Sequence, residues 1–256
     1  MMKPLIVANW KMNPATAKEA LALAKEINGN AEKINAEVVL CPPFPYLPII
    51  YAKKLKNICL GAQDCFWESP PAGGGAFTGE VSPAMLKNIG CKYVILGHSE
   101  RKKYLGETYV MINKKLKAVL KARLAPVVCI GEKEPLSETA KGEAESQMAQ
   151  IFAGISAGEM QSAVLAYEPE WAISTNPGAK PATPEGARLS VEYMREILFR
   201  LFGDELAKNA KIMYGGSVAS HNIKGFMDKA GIQGALVGSA SLNAPGFVQL
   251  VKNAIK

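Results

Sequence analysis

Long hydrophobic runs are missing from this sequence of 256 residues. The longest uncharged stretch, residues 230–251, is broken by Gly231, Gly234, Gly238, Asn243, Pro245, Gly246 and two glutamines, which excludes a membrane span there. No export signal is expected: residues 5–10 are interrupted by Asn9 and closed by Lys11, whereas a signal core needs roughly 7 to 15 apolar residues. Cysteine is scarce. The five present (Cys41, Cys59, Cys65, Cys91 and Cys129) have no CxxC spacing, and several stand in apolar runs where a thiol acts as a small hydrophobe. A reducing cytoplasm is therefore expected; Cys129 is either redox-sensitive or packs the core, with packing favoured. No cluster has metal-ligand spacing, and neither a metal nor a cofactor is expected.

What is present is the composition of a folded protein: 48% hydrophobic and 21% charged residues exclude disorder. The net charge of +7 raises the question of nucleic acid. Much of the excess, however, lies in Lys114, Lys115, Lys117, Lys121 and Arg123, at spacings that cover the outer faces of a helix. A solvated helix face is expected there, and no nucleic-acid or membrane partner.

Short apolar runs recur along the whole chain at residues 5–8, 38–41, 59–62, 93–96, 126–130, 164–167, 212–214 and 235–237. The runs are continuous rather than alternating, as in parallel strands covered on both faces. Helical patterns lie between them. Asn13 can cap and Pro14 open a helix whose Ala17, Ala20, Leu21, Ala24 and Ile27 share a face, with Gly29 as its stop. Thr183 and Pro184 open another, lined by Ala187, Val191, Met194, Leu198 and Leu201 and ended by Gly203. An open doubly wound sheet would usually have fewer strands and often a GxGxxG turn after the first, which is absent. The expected fold is an α/β closed (β/α)8 barrel, one domain over residues 1–256, with its chemistry at the C-terminal ends of the strands.

Those ends are informative. Asn9 and Lys11 follow the first run, His98, Ser99 and Glu100 the fourth, and Glu168 the sixth. Gly215, Gly216 and Ser217 follow the seventh, and Gly238 and Ser239 the eighth. A carboxylate, an imidazole and an ammonium gathered on one rim have no obvious structural benefit, so a reactive site is expected. The paired glycines let backbone approach a ligand, and the helical segment after Gly238 offers free N–H groups to an anion. Barrels often bind phosphate there. Other barrel enzymes acting on phosphorylated sugars share such loops, but those loops leave Asn9, Lys11, His98 and Glu168 together unexplained. His221, in a polar segment before a helix, is expected to be exposed.

Seven segments, in order from the first strand to the last helix, resemble the triosephosphate isomerase family. They are Ala8-Asn9-Trp10-Lys11-Met12-Asn13, Gly75-Ala76-Phe77-Thr78-Gly79-Glu80, Leu96-Gly97-His98-Ser99-Glu100-Arg101, Cys129-Ile130-Gly131-Glu132, Ala166-Tyr167-Glu168-Pro169, Tyr214-Gly215-Gly216-Ser217-Val218 and Leu236-Val237-Gly238. The resemblance implies interconversion of dihydroxyacetone phosphate and glyceraldehyde 3-phosphate through an enediolate, without metal. It implies that Glu168 is the base, its carboxylate made basic by exclusion of water. His98 is implied to be a neutral electrophile toward the substrate oxygens, with Lys11 as a fixed positive charge and Asn9 orienting it. Glu100 is implied either to hold Lys11 or to share in proton shuffling. Ser174, Ser217, Leu236, Gly238 and Ser239 are implied to bind the substrate and its phosphate.

Three departures from the family pattern stand out. Residues 169–182 are similar to a mobile lid, but the tip, 174–179, is three residues longer than the usual Gly-Thr-Gly. Ser174 aligns with the lid's backbone donor to phosphate; a lid unable to close would instead leave a non-catalytic binding protein. Ser239 stands where the family has glycine, adding a hydroxyl beside the phosphate. Residues 68–74 lengthen the loop that in the family inserts into a neighbouring subunit, where the threonine matching Thr78 touches the partner's site. A homodimer is expected.

Overall fold

The computed structural model describes residues 3–68, 75–135, 137–173 and 181–255. Eight strands, β1 (Leu5–Asn9), β2 (Glu37–Cys41), β3 (Cys59–Ala62), β4 (Cys91–Leu96), β5 (Ala125–Ile130), β6 (Val164–Tyr167), β7 (Lys211–Tyr214) and β8 (Gly234–Val237), pair in sequence order. Every pairing is parallel, and β8 returns to β1, closing the barrel. Each apolar run of the sequence falls on its strand.

The continuous runs follow from burial on both faces. Val7, Val39, Ile95, Val127, Cys129, Ala166, Met213 and Leu236 form an inner cluster made of strand residues alone, the packed lumen. The alternate residues, among them Ile6, Leu40, Leu96, Val128 and Leu165, pack with the helices outside. Gly61, at the β3–β4 register shift, leaves room for two β2 side chains: a Cβ there would press on Cys41 Sγ and Val39 Cγ1 at 2.7 and 2.9 Å.

The outer layer comprises α1 (Ala17–Asn30), α2 (Leu47–Tyr51), α3 (Pro83–Asn88), α4 (Ser99–Leu105), α5 (Tyr109–Lys121), α6 (Glu138–Ile151), α7 (Ala157–Met160), α8 (Pro184–Phe202), α9 (Asp204–Asn209), α10 (Ile223–Lys229) and α11 (Ala244–Asn253). Thr183 and Gly203 bound α8 as the sequence implies, and Ala187, Val191, Met194 and Leu198 are buried along it. Leu201 is exposed, and it is Phe202 in the last turn of α8 that packs against the core, beside Phe152.

The start of α1 differs from the expectation. Thr16, not Asn13, caps it, through a reciprocal pair in which Glu19 N–H donates to Thr16 Oγ1 and Thr16 N–H donates to Glu19 Oε2. That pair satisfies two free donors at once, which a cap by Asn13 could not match. Asn13 instead donates from Nδ2 to the Trp10 carbonyl. Gly29 lies inside α1, which ends at Asn30.

The basic stretch also differs from the expectation. Lys115 is buried, on the face of α5 that carries Ile112, Leu116 and Val119, rather than solvated. Its ammonium lies 2.8 Å from both carboxylate oxygens of Asp64 and pairs with Glu107, while Arg101 Nη2 reaches Asp64 Oδ2 at 2.9 Å. Counting charges along the chain could not reveal partners contributed by the β3 exit and the α4–α5 turn. Burial pushes the Asp64 carboxyl up to about 6 against the pull of Lys115 and Arg101. Replacing Lys115 with alanine leaves two buried carboxylates short of a counterion. Lys115→Ala should cost about 3 to 5 kcal/mol in urea-unfolding free energy; a loss under about 1 kcal/mol, the scale of a surface pair, would mean the cluster is solvated.

Candidate active site

Parallel closure carries all eight strand ends to one rim. There, a cavity of about 570 Å³ is lined by Asn9, Lys11, His98, Glu168, Gly215, Gly216, Ser217, Leu236, Gly238 and Ser239 among others. Of the residues singled out in the sequence, Glu100 stands behind this lining and reaches it through Lys11. Thr78 is exposed on its loop, away from this lining. Ser174 lies outside the described residues.

Glu168 follows β6 directly and is 2% exposed. Its Oε1 lies 3.0 Å from His98 Nε2, and its Oε2 accepts the backbone N–H of Ser99 at 2.9 Å. Its own N–H donates to the Ile130 carbonyl at the end of β5. The neighbouring Gly131 must be glycine, since a Cβ there would run into the Glu168 carbonyl. Burial works to raise the Glu168 pKa, but His98, the Ser99 N–H and Lys102 outweigh it and hold the carboxyl below the usual carboxylate range.

His98 caps α4. Its Nδ1 accepts the N–H of Glu100 at 3.2 Å, so in the neutral ring the proton sits on Nε2, facing Glu168. Burial tends to lower its pKa, yet the carboxylates of Glu168 and Glu100 raise it above the ordinary imidazole range. The cap and the carboxylates thus act in opposite senses: the backbone donor needs a lone pair on Nδ1, while the charge around the ring favours a second proton.

Lys11 adopts a left-handed backbone, φ 53°, uncommon for a residue with a side chain. Two bonds bracket it: its N–H donates to Asn9 Oδ1 at 3.0 Å and its Nζ donates to Glu100 Oε1 at 2.5 Å. Opposite Lys11, Gly238 opens a short 3-10 turn, Ser239–Leu242, before α11, rather than a longer helix. A Cβ on Gly238 would stand 3.4 Å from Lys11 Cε. Across the cavity, Gly215 N–H donates to the Tyr167 carbonyl at 2.7 Å. The Ser217 hydroxyl donates to the Ala172 carbonyl at 2.9 Å, so in this arrangement it serves the segment after Glu168.

Other members of the site escaped sequence reasoning. Glu132 accepts from the Tyr167 hydroxyl and, at 3.4 Å, from Trp171 Nε1, tying the ends of β5 and β6 to the turn Glu170–Ala172. Glu132 stood in a quoted segment, but nothing in that segment points to Trp171. Lys102 of α4 pairs with Glu170 at 2.8 Å, and Gln63 reaches the Lys11 carbonyl. Conversely, His221 is exposed, as expected, yet it lines the same cavity at its margin. Cys129 is buried, and burial pushes its thiol pKa well up. Among the described residues, no group of His, Cys, Asp and Glu is arranged to hold a metal ion.

A closed parallel barrel with titratable groups and glycine loops around one mouth defines a (β/α)8-barrel protein with its site at the C-terminal face. The model of the family described as Triosephosphate isomerase matches residues 4–254. A protein of Carboxydothermus hydrogenoformans with the same description is 45% identical over 100% of both chains. Relatives so described from Caldanaerobacter subterraneus subsp. tengcongensis and Alkaliphilus oremlandii are 43% and 42% identical, each over 98% of this chain and 99% of their own length. The chain belongs to the triosephosphate isomerase family.

The two donors on Glu168 make a measurable difference. Its folded pKa lies below that of an unfolded carboxylate, so ionised Glu168 contributes stability above the ordinary carboxylate range, and this is lost as pH falls through the folded value. In His98→Leu, which removes the Nε2–H, the Glu168 midpoint followed by carboxyl carbon NMR should move upward; an unchanged midpoint would mean that the imidazole does not hold the charge.

Proposed function

We propose that this protein is a triosephosphate isomerase, interconverting dihydroxyacetone phosphate and D-glyceraldehyde 3-phosphate by proton transfer through an enediolate. The observation that carries the reading is the buried Glu168 carboxylate facing the same cavity as His98 and Lys11. Family membership over nearly the whole chain supports it.

In this reading Glu168 takes the proton from the substrate carbon. While it is held by His98 and the Ser99 N–H it is a weak base. Exchanging those donors for a carbon acid in a site closed to water leaves burial as the dominant influence and raises its basicity. His98, with its proton on Nε2, donates to the substrate oxygens as the enediolate forms. Lys11 supplies a positive charge that needs no proton transfer, and Asn9 holds its backbone. Glu100 keeps the Lys11 ammonium in place; its contact with that ammonium favours this role over proton shuffling. The phosphate lies against the N–H groups at Ser217, Gly238 and Ser239, beside Leu236, with Ser174 completing the grip and the Ser239 hydroxyl adding a donor.

Glu168→Asp draws the base back by one methylene and should lower kcat by roughly 10²- to 10⁴-fold in a coupled triose phosphate assay, with KM little changed. Full turnover would remove Glu168 from the mechanism. In the same assay Ser239→Gly should change KM only modestly, and a large gain in activity would mean that the added side chain impairs the phosphate subsite.

We also propose that the whole chain works as one barrel domain, in the cytoplasm, as a homodimer. No helix among the described residues is long and apolar enough to cross a membrane. Met12, next to Lys11, is 92% exposed, and the loop with Thr78 presents Phe77 to solvent, as expected of surfaces that a second copy covers. Light scattering should give twice the chain mass; a fully active monomer would exclude a role for Thr78 at a partner's site.

A further inference from the structure

The left-handed backbone of Lys11 needs something to hold it. Its N–H is tied to Asn9 and its ammonium to Glu100, both within the proposed reactive group. The third restraint comes from elsewhere. Gln63, just past β3, donates from Nε2 to the Lys11 carbonyl at 2.7 Å and to the Cys41 carbonyl at 2.8 Å. Both amide hydrogens are used, so the carboxamide joins the end of β2 to the turn that carries Lys11.

Gln63 is itself anchored. The next residue, Asp64, is gripped by Lys115 and Arg101. Arg101 follows Glu100 on α4, and Glu100 accepts from the Lys11 ammonium. The interactions form a ring: Lys11 to Glu100, along α4 to Arg101, across to Asp64, back one residue to Gln63, and from its side chain to the Lys11 carbonyl. Displacing the backbone of Lys11 requires breaking this ring, and its buried member Asp64 is also held from outside the ring by buried Lys115, a pair that cannot separate without large loss.

We propose that Gln63 is a positioning residue for Lys11, holding its strained backbone so that the ammonium stands at a set place in the cavity. The inference rests on the role given to Lys11 above. Gln63 does not touch substrate. It acts only through Lys11, so its removal matters only while the ammonium is there to be misplaced.

That condition sets the test, a double-mutant cycle on kcat/KM with the parent, Gln63→Met, Lys11→Ala and the double variant, each checked for folding by circular dichroism. Gln63→Met keeps the side-chain length and loses both donors. It should lower kcat/KM about tenfold in the parent and less than twofold in the Lys11→Ala background. Equal factors in both backgrounds would overturn the inference in favour of a merely structural role, and so would no effect in the parent. If Gln63→Met does not fold, Gln63→Glu, which keeps the shape but loses both donors when ionised, replaces it in the same cycle with the same expectation. A Lys11→Ala enzyme as active as the parent would instead refute the role of Lys11 itself, an outcome distinct from the others.

Discussion

A carboxylate removed from water can stay ionised only where donors replace the water, and at Glu168 both donors come from one short stretch of chain. His98 ends the β4 crossover and caps α4, while Ser99 opens α4; one presents an imidazole N–H and the other a backbone N–H. The first turn of α4 therefore controls the charge on Glu168. In the reading proposed here, the free protein stores the base in ionised and weakly basic form, and the substrate competes with α4 for it.

The same helix turn also faces Lys11, through Glu100, and the buried cluster, through Arg101. Three consecutive residues, Ser99, Glu100 and Arg101, thus reach the base, the ammonium and the structural ion cluster respectively. A short helix can do this because its free N–H groups point toward its start while its side chains fan outward. Through Arg101 and Asp64 the cluster around Lys115 also joins α4 to the chain just past β3.

Parallel closure is the larger constraint. With every strand running the same way, the rim collects one residue or loop from each βα unit, and side chains distant in sequence become neighbours. Glycine is needed where two such units meet backbone to backbone, as at Gly131 against Glu168 and Gly234 against Leu5. Ser217 shows how closely the units are linked, since its hydroxyl bonds the Ala172 carbonyl of the preceding unit.

The barrel, its eight strands and the residues on its rim were legible in the sequence because continuous apolar runs and strand-end residues are local signals that closure does not alter. Local reading failed where long-range partners decide. Lys115 looked solvated because Asp64 and Glu107 are near it only in space, and Gln63 carried no signal because its acceptors belong to β2 and to the turn after β1. At α1, a reciprocal pair three residues apart outweighed the simpler cap at Asn13. The sequence by itself determined which residues stand at the strand ends, since hydrophobic patterning sets where each strand stops. Only the tertiary structure decided which carboxylate meets which donor, because a hydrogen bond depends on separations of a few tenths of an ångström that follow from how neighbouring βα units pack.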